Sequence, residues 1–249
     1  MTLRCGSARQ HRRPKISADG SQFCSLMIPD AVRLAICSAF EECYYAMSIS
    51  ELENQLASAQ ERVKELMGPK ATLEEKLAAF DVLALAQRAL AAAKGDEHAV
   101  PYDIGFKPEA AVSEPVILQT DNSTILTFSA VQKKADGKYH EVGYGVVEFD
   151  LCMLTKFGYP NDEARPGHPL FTKGLGDYGV YEVRNSSWIK QKTEQNRVRF
   201  PNTPDSTAKH FIFTFHDSTF ECIARALRAS LSTEPYEKLF AEIAKRVFV

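Results

Sequence analysis

His210-Phe-Ile-Phe-Thr-Phe-His-Asp-Ser-Thr-Phe-Glu-Cys222 decides how the second half of this chain is read. Phe211, Phe213 and Phe215 alternate with His210, Ile212, Thr214 and His216, the period of a strand with one aromatic face. Asp217 and Ser218 then break the alternation, and Ser218-Thr-Phe-Glu221 has capping-box spacing, which predicts a strand running into a helix. His216 and Asp217 would sit at that junction, beside free backbone N–H groups. There His216 could act as acid, base or ligand and Asp217 could orient a partner.

Outward from this stretch, the C-terminal side predicts two amphipathic helices, Thr219–Leu231 and about Glu234–Phe248. The N-terminal side predicts strands over Tyr178–Arg184 and over a three-strand meander. The meander runs through Pro115–Thr120 and Ser123–Val131 around the Asp121-Asn122 turn, then from the Asp136-Gly137 turn to Asp150. Leu151–Asp177, rich in Gly and Pro, reads as one long connection holding His168. Lys190–Lys209 reads as a polar connection.

The first half carries the helical period. Pro29-Asp30 opens a helix to about Met47. Ser48-Ile-Ser-Glu51 and Thr72-Leu-Glu-Glu75 are capping boxes, separated by Gly68-Pro69. Ile49, Leu52, Leu56, Ala59, Val63 and Leu66 repeat as a coiled-coil-like a/d seam. The expected inward residues of the facing helix are Leu73, Leu77, Phe80, Leu83 or Ala84, and Leu90. Residues 48–95 should thus form an antiparallel helical hairpin.

The expected architecture is α+β: a helical hairpin, then a mainly antiparallel sheet of about five strands with C-terminal helices on one face. The expected divisions are a tail over 1–25, a helical region over 26–95, a linker over 96–114 and an α+β domain over 115–249. The tail is basic and poor in apolar residues, which suits a disordered segment or an Arg-rich targeting peptide.

A net charge of −2 gives no reason to expect nucleic acid or an acidic membrane as partner. No apolar run reaches the length of a membrane span. Six scattered cysteines without a C-x-x-C pair point to free thiols in a reducing, cytoplasmic setting. His168, His210 and His216 lack metal-ligand spacing, no P-loop or G-x-G-x-x-G is present, and no motif specifies a cofactor.

Two functions remain. One is a binding or interaction protein with a polar site at His216-Asp217, its ligand contacted by His168, Arg184, Asn185, Ser186 and Trp188, and with self-association or a protein partner on the helical hairpin. The alternative is a small-molecule enzyme with acid–base or hydrolytic chemistry on His216, Asp217 and Glu182.

Overall fold

Both capping boxes form. In the computed structural model, which describes residues 47–247, the Ser48 hydroxyl accepts the Glu51 N–H at 3.3 Å and the Glu51 carboxylate accepts the Ser48 N–H at 2.8 Å. This starts α1, Ile49–Leu66. Thr72 and Glu75 repeat the exchange at 3.2 and 2.8 Å and start α2, Leu73–Ala93. Each exchange satisfies two N–H groups that a helix start would otherwise leave unpaired.

The α1 seam packs as its spacing predicts, with Leu52 and Ala59 buried and Leu56 beside them. The α2 face is corrected. Ala86 and Ala89, with Leu83 and Leu90, meet α1, whereas Leu73, Leu77 and Phe80 are 72%, 56% and 46% exposed. Because α2 is apolar around most of its circumference, its sequence carries little phase information, and small alanines let the two helices approach closely. The helix expected before Ser48 and the tail over 1–25 lie outside the described residues.

The 96–114 segment, expected as a linker, contributes two strands. These are β1, His98–Pro101, and β2, Lys107–Pro108. The meander forms as β3, Val116–Gln119, β4, Thr124–Lys133, and β5, Tyr139–Asp150. The Leu151–Asp177 connection contains a further strand, β6, Leu154–Gly158. Residues 159–178 then form a strap that leads into β7, Val180–Arg184.

The stretch His210–Cys222 is a β-hairpin and not a strand-to-helix junction. β8, Lys209–Thr214, turns at residues 215–218 into β9, Thr219–Ala224, with Thr214 opposite Thr219 and Phe211 opposite Cys222. Then β10, Ala226–Ser232, follows directly. The predicted helix over Thr219–Leu231 is therefore two strands. Phe220, Cys222 and Ala224 continue the inward face begun by Phe211 and Phe213, and Thr219 and Ile223 are β-branched. That pairing overrides a local capping signal worth only about 1 kcal/mol. Conversely, a helix, α3, Ser187–Arg199, takes up the first half of the expected polar connection over Lys190–Lys209. The chain's last described element is α4, Tyr236–Val247.

The fold is α+β, and its strands make two antiparallel five-stranded sheets among the described residues. One has the order β10-β5-β4-β2 with β3 also paired to β4, and the other β1-β7-β8-β9-β6. Their inner faces share one core, in which Phe128 and Phe149 of the first sheet meet Phe211, Phe213, Phe215 and Phe220 of the second. The ring centroids of Phe128–Phe215 and Phe149–Phe220 lie 5.5 and 5.4 Å apart in tilted pairs. Each outer face has its own cover. Leu239 and Ile243 of α4 pack on Ile125 and Val146, while Leu170 and Leu175 of the strap pack on Tyr181, Val183 and Ile212. The β4–β5 register shifts opposite Gly143, at φ 95°, where a Cβ would lie 2.3 Å from the Ser232 carbonyl oxygen. Among the described residues no helix is long and apolar enough to cross a membrane.

Candidate functional site

The residues expected to form one site occupy three places. His216 stands at the tip of the β8–β9 hairpin, its Nδ1 2.7 Å from Asp162 Oδ2. Asp162 also accepts the Tyr178 hydroxyl, and the Asp162 N–H donates to the His216 carbonyl at 2.9 Å. Beneath this, the fully buried Arg165 pairs with Asp177 and donates to the Phe215 carbonyl at 2.6 Å. These bonds fasten the strap to the hairpin. The hydrogen bond to Asp162 raises the His216 pKa, and the bond from Tyr178 leads the effects that lower the Asp162 pKa. Burial, followed by Asp162, pushes Tyr178 up to about 12.

Asp217 is 90% exposed at its side chain and approaches His216 only to 4.0 Å. Glu182 is buried on β7, 3.2 Å from both Lys209 and Arg184. It pairs across with Phe211, five positions along β8 from His216, which is roughly 16 Å at strand spacing. The expected catalytic set His216, Asp217 and Glu182 is therefore not brought together. His168 is elsewhere again, at a carboxylate that sequence reasoning had given to a helix cap.

That carboxylate is Glu221. With β9 between β8 and β6, its register neighbours are Ile212 and Lys156, and His210 lies two positions along on the same face. His210 Nε2 is 3.1 Å from Glu221 Oε2, His168 Nε2 is 3.7 Å from Oε1, and Lys156 Nζ is 3.8 Å from Oε2. Burial alone would raise the carboxyl pKa. The ring N–H groups of His168 and His210 outweigh it and hold Glu221 well below the usual carboxylate range. The carboxylate can only accept, so His210 donates from Nε2; in the neutral ring Nδ1 is then the acceptor that faces the Ser186 hydroxyl, 2.9 Å away. His168 is likewise set, because its Nδ1 accepts the Leu170 N–H at 3.1 Å. Trp188 packs edge-on against His210 with centroids 5.2 Å apart, and Lys156 Nζ lies 4.2 Å from the centroid of the indole.

Ser186, only 4% exposed, stands between this buried chain and an open cleft that it helps to line. At the end of β7, Asn185 takes φ 54° and turns the strand into α3, and Ser186 caps that helix by accepting the Ile189 N–H at 3.2 Å. Glu97 steadies the turn by accepting the Ser187 N–H and hydroxyl at 2.8 and 3.0 Å. The cleft beside it, about 230 Å³, is lined by Glu182, Arg184, Asn185, Ser186, Lys190 and Lys209, together with Ser206 and Ala208. Arg184, Lys190 and Lys209 set three positive charges against the one negative charge of Glu182, a surplus of two. Of the expected ligand contacts, Arg184, Asn185 and Ser186 line the cleft, while Trp188 and His168 lie behind it on the His210–Glu221 chain.

The sequence reading missed Glu221, His210 and Lys156 as a group. Their signal was present: once the stretch is read as a hairpin, Glu221 falls beside His210 on the face opposite the phenylalanines. Among the described residues no three His, Cys, Asp or Glu side chains converge as a metal site. Elsewhere, between the sheets, the hydrogen bond from Cys222 leads the effects that lower the half-buried Cys152 thiol to about 7, while burial pushes Cys222 well up. Comparison with protein-family models, curated proteins and solved structures finds no match for this chain.

Proposed function

We propose that the protein binds a small ligand carrying a carboxylate or phosphate in the cleft between β7, the first turn of α3 and residues 206–209. The observation that carries this reading is the surplus of two positive charges in a concavity that opens on a helix N-terminus. The dipole of α3 and its first N–H groups add to the attraction for an anion. The ligand reading of the sequence is kept and its place moved from His216 to the β7–α3 junction, because His216 is engaged by Asp162. Calorimetric titration with inorganic phosphate and with succinate tests it. Lys190→Glu, which lowers the local surplus from two to zero, should weaken binding at least tenfold without altering the fold. Equal affinity in the variant would refute the reading.

A second reading concerns the helical hairpin. Leu73, Leu77 and Phe80 form an exposed stripe at helical spacing on α2, which favours association with a second copy of the chain. Sedimentation should then show a dimer that Leu77→Glu dissociates. A wild-type monomer at all concentrations would dismiss this reading.

A further inference from the structure

We infer that Ser186 is a nucleophile, activated by His210 and Glu221, and that the protein transfers or hydrolyses the acyl group of an ester bearing an anionic group. The inference rests on the cleft reading for the choice of substrate and on a separate set of contacts for the chemistry.

A serine hydroxyl is a weak nucleophile unless a base can take its proton as it attacks. Ser186 Oγ lies 2.9 Å from His210 Nδ1, which is within the range for that transfer. Glu221 holds the other ring nitrogen at 3.1 Å, so the neutral imidazole keeps its proton on Nε2 and its lone pair on Nδ1, facing Ser186. The same carboxylate, kept ionised by its neighbours, would stabilise the imidazolium formed after transfer. Trp188 packs edge-on against the His210 ring, and the strap's His168 holds the Glu221 carboxylate from its other oxygen. A serine, an imidazole and a carboxylate are thus in line, joined by hydrogen bonds of working length.

Two further features concern the reacting atom. The Ser186 oxygen has two lone pairs, and the cap to Ile189 uses only one, leaving the other for attack. The Trp188 N–H, second in α3, has no acceptor among the described residues, which makes it a donor for the oxygen of a tetrahedral intermediate at the helix N-terminus. Arg184, Lys190 and Lys209 would hold the anionic end of the substrate along the cleft.

In the reaction, the Ser186 Oγ–carbon bond forms as the hydroxyl proton moves to His210 Nδ1 and the carbonyl electron pair moves onto oxygen. Collapse breaks the bond to the alcohol, which leaves with the proton from His210. Water then attacks the acyl-serine, giving up a proton to His210 and releasing the acid as Ser186 is restored. No oxidant or metal enters the balance. His210 is the base, and Glu221 is a positioning residue because it acts only through His210.

The test uses the full chain with p-nitrophenyl acetate and mono-p-nitrophenyl succinate. Release of p-nitrophenolate is followed by stopped flow and the acylated residue is identified by peptide mass mapping. The expected result is a stoichiometric burst with the acyl group on Ser186, slowed about a hundredfold in His210→Gln. In Glu221→Gln the burst should slow at least tenfold while phosphate affinity stays unchanged, and Glu221→Asp should recover part of the rate. Acylation confined to lysines, or a burst equal in wild type and His210→Gln, would overturn the inference. The mapping is done on wild-type protein, so it stands even if a variant folds poorly. Phosphate binding without Ser186 acylation would sink the nucleophile and leave the cleft reading intact. A Ser186 burst with acetate that phosphate does not slow would establish the nucleophile and remove the anion reading.

Discussion

Replacing Phe128 with Ala tests whether the two sheets share one core. Phe128 is fully buried, and its ring centroid lies 6.0, 6.1 and 5.5 Å from those of Phe106, Phe213 and Phe215. Of these four rings Phe106 and Phe128 lie on the side of the first sheet and Phe213 and Phe215 on that of the second, so truncation removes a contact made across the two sheets. Phe→Ala changes at such sites cost about 3–5 kcal/mol, because the lost transfer energy adds to that of the remaining cavity. A loss of about 4 kcal/mol is expected, since rings from both sheets frame the void and limit its collapse. With a urea m-value of about 2.5 kcal/mol/M, a loss of about 4 kcal/mol moves the midpoint down by about 1.6 M. The assay is urea unfolding followed by fluorescence of Trp188, the single tryptophan. Phe200→Ala is the control, at a ring 65% exposed, and should stay within about 0.5 kcal/mol of wild type. A loss at Phe128 below about 1 kcal/mol with unchanged m would refute the shared core.

Fastening of the strap by Asp162 and His216 should depend on pH from both sides. The raised His216 pKa contributes stability that is complete below the ordinary histidine value and is lost as pH rises through the raised one. The depressed Asp162 pKa contributes stability above the ordinary aspartate value that is lost as pH falls through the depressed one. Hydrogen exchange, corrected for its intrinsic pH dependence, should therefore show residues 160–178 best protected between about pH 4 and pH 6.5, and His216→Asn should remove the upper limb. In alkylation at pH 7, Cys152 should react with iodoacetamide well before Cys222, which should need denaturant; equal rates would contradict their opposite shifts. A fragment beginning at residue 96 should remain folded, whereas one beginning at 116 should lose stability, since it leaves β7 without β1 along Val183–Tyr181. Equal melting temperatures would show that β1 is dispensable.

The helical hairpin and the meander were legible because their signals are local and agree: capping boxes with a/d spacing, and alternation with turn residues. The α2 face was not legible, since alanines and leucines surround that helix. At Ser218–Glu221 two local signals competed, and cross-strand burial of Phe220 and Cys222 decided between them, which no window of sequence weighs. The site suffered from the same misreading. If Glu221 is read as a helix cap, His210 has no partner in the sequence pattern and His216 stands out in its place, although its bond is to Asp162. Arg184, at the end of β7, and Asn185 and Ser186, just after it, are legible as strand-end residues, and the cleft they line is made by α3, which the low apolar content of residues 187–199 conceals. From sequence His168 is only a histidine in a long loop. Its place at Glu221 depends on the path of the strap, a long-range property.

The most direct test of the account is to find where an anion binds. In a phosphate titration of isotope-labelled protein followed by amide chemical shifts, the largest movements should fall on Asn185, Ser186, Ile189 and Lys190, around the cleft. They should saturate with one affinity and weaken as salt is raised. Shifts that never saturate, or that centre on the His216 hairpin tip and leave the β7–α3 turn unmoved, would contradict it.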